Sequence, residues 1–159
     1  MIKHSLNDAL GWIGTFTIVV KNKSTGKIEE EVIKNRITNT ALNALINVLD
    51  DIDPNLDIKY LAIGTSSAAL NDADTTLGNE VFRSADTSTV RTGIGEFTSD
   101  FIVLGSDAIA TWEEIGIFCG DSATSSADTG IMLSRILYHR VKTSLEEIQF
   151  IRVDKIERS

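Results

Sequence analysis

In the last third of the chain, apolar and polar residues alternate with a period of two. Ile131, Leu133, Arg135, Leu137 and His139 fall on one face, and Met132, Ser134, Ile136 and Tyr138 on the other. Further on, Ile148, Phe150, Arg152 and Asp154 oppose Gln149, Ile151, Val153 and Lys155. Successive side chains of a strand point to opposite sides of a sheet, and β-branched and aromatic residues suit its pleated surface. Both segments therefore predict strands, over 131–140 and 146–156. Near the start, Phe16, Ile18 and Val20 alternate with Thr15, Thr17 and Val19, and Ile28, Glu30 and Val32 with Glu29, Glu31 and Ile33. The intervening Asn22-Lys23-Ser24-Thr25-Gly26-Lys27 is turn chemistry, with Gly26 free to take a positive φ. The pattern predicts a hairpin with strands over 12–21 and 27–34.

The period changes after Thr38. Leu42, Leu45, Ile46 and Leu49 recur at i, i+3, i+4 and i+7, one face of an amphipathic helix over 39–50. Thr38, or Asn39 beside it, can cap that helix, and Pro54 stops any continuation. Ile58 to Ile63 reads as a short strand ending at Gly64, and residues 65–79 as a long polar loop. Strands are expected at 80–92, 96–104 and 110–119, with a hairpin turn at Gly93-Ile94-Gly95. Asp121 to Gly130 is small and polar and predicts an exposed loop. One short helix among seven or eight strands does not alternate as β-α-β. The expected fold is mainly β, an antiparallel β-sandwich of jelly-roll type, with an N-terminal arm over 1–11 and a single domain over 12–159.

Bulk properties narrow the function classes. A chain of 159 residues can bury a core without staples. Its apolar runs fall short of the roughly 18–20 residues a membrane helix needs, and Met1 to Ser5 does not read as a secretory leader. The single cysteine, Cys119, excludes an intrachain disulfide and a cysteine-based zinc cage, and its apolar setting reads as a small buried hydrophobe. A net charge of −8 argues against a nucleic-acid partner, because phosphate contacts need clustered Lys and Arg.

Candidate chemistry is sparse. Asp51, Asp53, Asn55 and Asp57 occupy positions 1, 3, 5 and 7 of a calcium-loop register, but Leu56 stands where glycine is needed and Ala62 where glutamate is needed. Asp72 and Asp74 form a weaker carboxylate pair in the long loop. Glu113 and Glu114, and likewise Glu146 and Glu147, are strand neighbours that point to opposite faces and cannot share one site. His4 and His139 are the two histidines, and neither lies in a nucleophile motif. Trp12 and Trp112 sit in strands, which favours core roles. Arg83, Arg135 and Arg140, embedded in strands, predict ion pairs with carboxylates such as Glu80, Glu113 and Glu114. No catalytic, cofactor-binding or metal-ligating residue is assigned.

Several pieces occur together in a recognisable order. They are Lys34 to Asn39 running into the Leu-rich helix, Tyr60 to Thr65, Thr76 to Arg83, Trp112 to Phe118, and Ile131 to Arg135. With this order and spacing, the chain resembles small structural proteins of tailed bacteriophages over residues 14–156. The resemblance implies a β-sandwich virion component, made in the host cytoplasm and built into a particle, that does not turn over a substrate. The leading expectation is a capsid decoration or cement protein that binds the major capsid protein and self-associates, with a trimer as the analogy suggests. A tail, baseplate or fibre-attachment protein is the first alternative. A carbohydrate- or calcium-dependent binding module is the second. No nucleic-acid or membrane partner is expected.

Overall fold

The computed structural model describes residues 9–50, 52 and 55–158. Among them are ten strands and one helix. Strands β1 (Leu10–Asn22) and β2 (Ile28–Lys34) form the N-terminal hairpin, followed by the short β3 (Arg36–Ile37) and helix α1 (Asn39–Leu49). Strands β4 (Ile58–Gly64), β5 (Glu80–Ala85), β6 (Ser88–Gly93), β7 (Glu96–Val103), β8 (Thr111–Cys119), β9 (Ile131–Val141) and β10 (Glu146–Arg158) complete the chain. They build two five-stranded antiparallel sheets. The first, sheet A, has the order β2-β1-β10-β7-β6, and the second, sheet B, the order β3-β9-β8-β4-β5. The mainly β, two-sheet architecture with one short helix agrees with the sequence. Jelly-roll winding does not follow from this order, since β1–β2, β4–β5, β6–β7 and β8–β9 each close as hairpins within one sheet.

Alternation along the strands makes the core. Phe16, Ile18 and Val20 of β1, Phe101 and Val103 of β7, and Ile148 and Phe150 of β10 face Leu61, Ile63, Ile115, Ile117 and Ile136 of sheet B. Trp112 tilts against Phe150 with ring centroids 6.2 Å apart. Fully burying a large apolar side chain contributes about 1.5–3 kcal/mol, so these residues dominate the stability of the sandwich. At the first turn Asn22 Oδ1 accepts from the N–H groups of Ser24 and Thr25, and Gly26 takes φ 70° as its position requires.

Three expectations are corrected. The strand over 80–92 is two strands. Asp86 N–H donates to Lys59 O of sheet B at 2.8 Å, and the next residue, Thr87, donates to Asp100 O of sheet A at 2.8 Å. The chain changes sheets between two adjacent residues, with no Gly or Pro to mark it. In β9 the simple alternation is broken: the register with β8 shifts between Ile117 and Phe118. Leu133 consequently joins the same core as Ile136 and Tyr138. Finally, the arm over 1–11 ends sooner than expected, because β1 begins at Leu10 and pairs there with Arg158. Residues 1–8 of that arm, His4 among them, lie outside the described residues.

Candidate interaction surface

The outer face of sheet B is covered by the protein's own loops. Glu114, on β8, is fully buried beneath residues 65–79. Its Oε1 accepts from the N–H groups of Ser66 at 3.2 Å and Asn79 at 2.9 Å, and its Oε2 from Gly78 N–H at 3.0 Å. Arg135 of β9 donates to Glu114 at 2.8 Å and to Asp74 at 2.9 Å, and its remaining N–H groups reach the carbonyls of Ala68 and Ala69. A charge-assisted hydrogen bond is roughly twice as strong as a neutral one, so this cluster anchors the loop firmly. Leu77 then packs with Ala62, Phe118, Ala123 and Met132 in a second, smaller apolar cluster. Gly116 makes room for it: a Cβ there would stand 2.9 Å from Leu77 Cδ2.

A parallel arrangement holds residues 121–130. Arg83 and Glu80, both on β5, form a buried pair, with Arg83 NH2 donating to Glu80 at 3.0 Å. Arg83 also donates to the carbonyls of Thr124 at 3.0 Å and Thr129 at 2.8 Å, and Glu80 accepts from Asp128 N–H at 3.0 Å. The guanidinium lies 4.2 Å from the centroid of the Phe118 ring, a cation–π contact. The arginines singled out in the sequence thus find carboxylates. Arg83 takes Glu80 and Arg135 takes Glu114, as expected, whereas Arg140 takes Glu146 and, at 3.5 Å, Glu29.

The other flagged residues disperse. Asp72 pairs with Arg36, whose hydrogen bond holds the Asp72 carboxyl below the usual range, so the Asp72 and Asp74 pair is divided between two cations. Glu113 meets the largely exposed His139 at 2.9 Å, beside a shift in the β8–β9 register between Trp112 and Glu114, and takes no part in the Glu114 cluster. Glu147 lies 3.4 Å from Lys23. Of the calcium-register acids, Asp51 and Asp53 lie outside the described residues, and Asp57 stands 3.8 Å from Lys59. Among the described residues no three His, Cys, Asp or Glu side chains converge as a metal site. Cys119 is buried and its thiol donates to Ile131 O at 3.3 Å. Trp112 is buried and donates to Ala108 O at 2.7 Å, while the half-buried Trp12 donates to Asp154 at 2.9 Å.

Two sites of buried charge were not anticipated from sequence. Arg152 and Asp154 alternate correctly with Ile148 and Phe150, which places them inside the sandwich. There Arg152 NH2 donates to Asp154 at 2.7 Å, NH1 to Ser134, and the guanidinium lies 5.3 Å from the centroid of the Phe16 ring. The second is Lys142, whose ammonium donates to the carbonyls of Leu104 at 2.9 Å and Gly105 at 3.1 Å. Burial pushes it below the ordinary lysine range, with Asp107 and Glu146 pulling it back.

What remains exposed is apolar in two places. Helix α1 packs through Ala41 and Ala44, its buried residues, while Leu42 is 47% exposed, Ile46 56% and Leu49 76%. The apolar stripe read in the sequence therefore faces outward along most of its length, and Ile52, 71% exposed, extends it. The second place is the outer face of sheet A, where Val32, Ile102, Val90 and Ile28 are exposed. Two adjoining depressions of about 490 and 380 Å³ share Thr89 and Phe97, and Asp86 lines the second with one carboxylate oxygen buried and without a hydrogen-bond partner among the described residues. In comparisons with known protein families, curated proteins and solved structures, nothing matches this chain.

Proposed function

We propose that this chain is a structural protein of a tailed-phage virion that decorates or cements the capsid by binding the major capsid protein. The observation that carries the reading is the outward stripe Leu42, Ile46, Leu49 and Ile52 on a helix whose inner face is made of alanines. A helix that buries Ala41 and Ala44 and presents leucine and isoleucine to solvent is built for a second apolar surface. Covering each of these side chains from its present exposure contributes about 1 kcal/mol, half of what full burial gives. The ordered pieces that resemble phage structural proteins run directly into this helix, from Lys34 to Asn39.

The pinned loops support a contact role as well. Buried charges on sheet B fix residues 65–79 and 121–130 through ion pairs and main-chain hydrogen bonds, so the surface is ordered before any partner arrives, which lowers the ordering cost of binding. The carbohydrate-module reading has less to draw on, because Trp12 and Trp112 both direct their indole N–H groups to partners within the fold.

The test is the copy number in purified particles of the encoding phage, by quantitative mass spectrometry against the major capsid protein. About one copy per shell subunit, or a simple fraction of that, is expected. A handful per particle would move the protein to the tail or baseplate. Absence from particles would overturn the virion reading.

A further inference from the structure

We infer that the outer face of sheet A is a two-fold interface between copies of this chain. The two sheets differ in what covers them. Sheet B lies under its own loops, whereas sheet A presents to solvent the rows that its register defines. One row runs Val32, Thr17, Ile151, Asp100 and Ser88 across all five strands. On one side of it lie Glu30, Val19, Gln149 and Ile102, and beyond them Ile28, Lys21 and Glu147. On the other side lie Lys34, Thr15, Val153, Thr98 and Val90, and beyond them Ile13, Lys155 and Glu96. The central row is β-branched at Val32, Thr17 and Ile151 and carries a single charge, Asp100, while the lysines and the other carboxylates stand in the rows on either side.

Area and charge together select the occupant. Five strands spaced about 4.8 Å apart, with an average of about nine residues at about 3.3 Å each, cover roughly 700 Å². A standard interface buries about 800 Å² on each partner. The charges are self-complementary about one axis. A two-fold axis along the Val32–Thr17–Ile151 row lays each strand antiparallel over its own copy. Glu30 then stands over Lys34 of the second molecule, and Glu147 over Lys155, each contact occurring twice. Ile13 of the second molecule meets the depression of about 140 Å³ lined by Val19, Lys21, Ile28, Ile102, Glu147 and Gln149. An axis along the strands instead sets Lys155 against Lys155 and Glu147 against Glu147, and electrostatics disfavours it. Aligned sheets pack within about 30° of each other, which the first arrangement satisfies. The like-charge approach on the axis itself is Asp100 against Asp100, at a carboxylate already held by Gln149 Nε2 at 3.0 Å.

This inference does not depend on a virion, so its test uses the isolated protein. Sedimentation equilibrium of the full chain should give a dimer at micromolar concentration. Glu30→Lys and Lys34→Glu should each weaken the dimer about ten-fold or more, because each places like charges together twice. The double variant Glu30→Lys/Lys34→Glu should restore it. Far-ultraviolet circular dichroism should show all three variants folded, since both side chains are on the surface. A wild-type monomer at 100 µM (about the concentration a weak interface needs) would overturn the inference. A trimer, or a dimer indifferent to both reversals, would overturn it equally.

Discussion

Arg135 is a strand residue whose charge organises residues nearly seventy positions away in sequence. Its partner Glu114 is fully buried and accepts three main-chain N–H groups besides. Removing one partner of such a pair leaves the other buried and uncompensated, which costs about 3–5 kcal/mol. Glu114→Ala should therefore lower stability by that amount in urea unfolding, and should open residues 65–79 to proteinase K in the native protein. Arg152 and Asp154 give a different expectation. Each single variant, Arg152→Met or Asp154→Leu, should be strongly destabilising. The double variant should cost much less than the two together, because the apolar pair leaves no buried charge behind, and a double-mutant cycle measures the difference. Glu146 makes stability depend on pH. Burial opposes its charge, but Thr143 N–H and Arg140 outweigh that and hold its pKa below the ordinary glutamate range. A carboxyl depressed in the folded state stabilises above its unfolded pKa, and that contribution is lost as pH falls through the lower, folded value. Glu146→Gln should be less stable than wild type at pH 7, and the gap should close as the wild-type carboxyl becomes protonated in both the folded and the unfolded state, which the urea midpoint followed downward from pH 6 will show. At this scale the sequence was informative about pairing. Arginines inside strands beside Glu80 and Glu114 announced ion pairs. The loop carbonyls that complete each guanidinium's partners were not legible, since they depend on how a fifteen-residue loop lies down.

Helix α1 separates two properties that periodicity joins. The spacing of Leu42, Leu45, Ile46 and Leu49 correctly announces a helix, and Thr38 caps it by accepting from Ala41 N–H at 3.1 Å. Periodicity does not say which face turns inward. The hydroxyl of Thr38 also donates to Met132 O at 2.6 Å, which docks the start of the helix on β9 and fixes its rotation, so Ala41 and Ala44 face in. Lysine at both Leu42 and Ile46 should then change stability by only about 0.5 kcal/mol in a denaturant titration, while weakening the proposed attachment to shells. Ala41→Leu should lower stability by about 1–3 kcal/mol through overpacking. If the core lay under the leucine stripe, the two results would exchange. Strands were legible wherever one face met the core and the other met water. The split at Asp86 was not, because Ala85-Asp86-Thr87-Ser88 carries no turn chemistry and the change of sheet is made by main-chain hydrogen bonds.

At the scale of the whole molecule, the two sheets are unequal. Sheet B carries its own covering in residues 65–79 and 121–130. Sheet A leaves a β-branched face open, and the proposed two-fold contact would close it. Native-state hydrogen exchange reads this asymmetry. The outward side of sheet A should gain protection as protein concentration rises through the dimer range, while α1, which lies outside the proposed two-fold contact, should not.

The anchoring of the two long loops has a consequence for how this surface can change. Glu114 holds the N–H groups of Ser66, Gly78 and Asn79, Arg135 the carbonyls of Ala68 and Ala69, and Arg83 those of Thr124 and Thr129. These grips are on the main chain, and nearly every amino acid offers the same N–H and C=O. Apart from Asp74, Leu77, Ala123 and Thr129, whose side chains also meet the sheet, the sheet thus fixes the shape of the loops with little regard to their side chains. Positions such as Ser67, Ala68, Ser125 and Ser126 can be rewritten while the contour stays in place, which makes this side of the molecule a frame on which new specificities can be displayed.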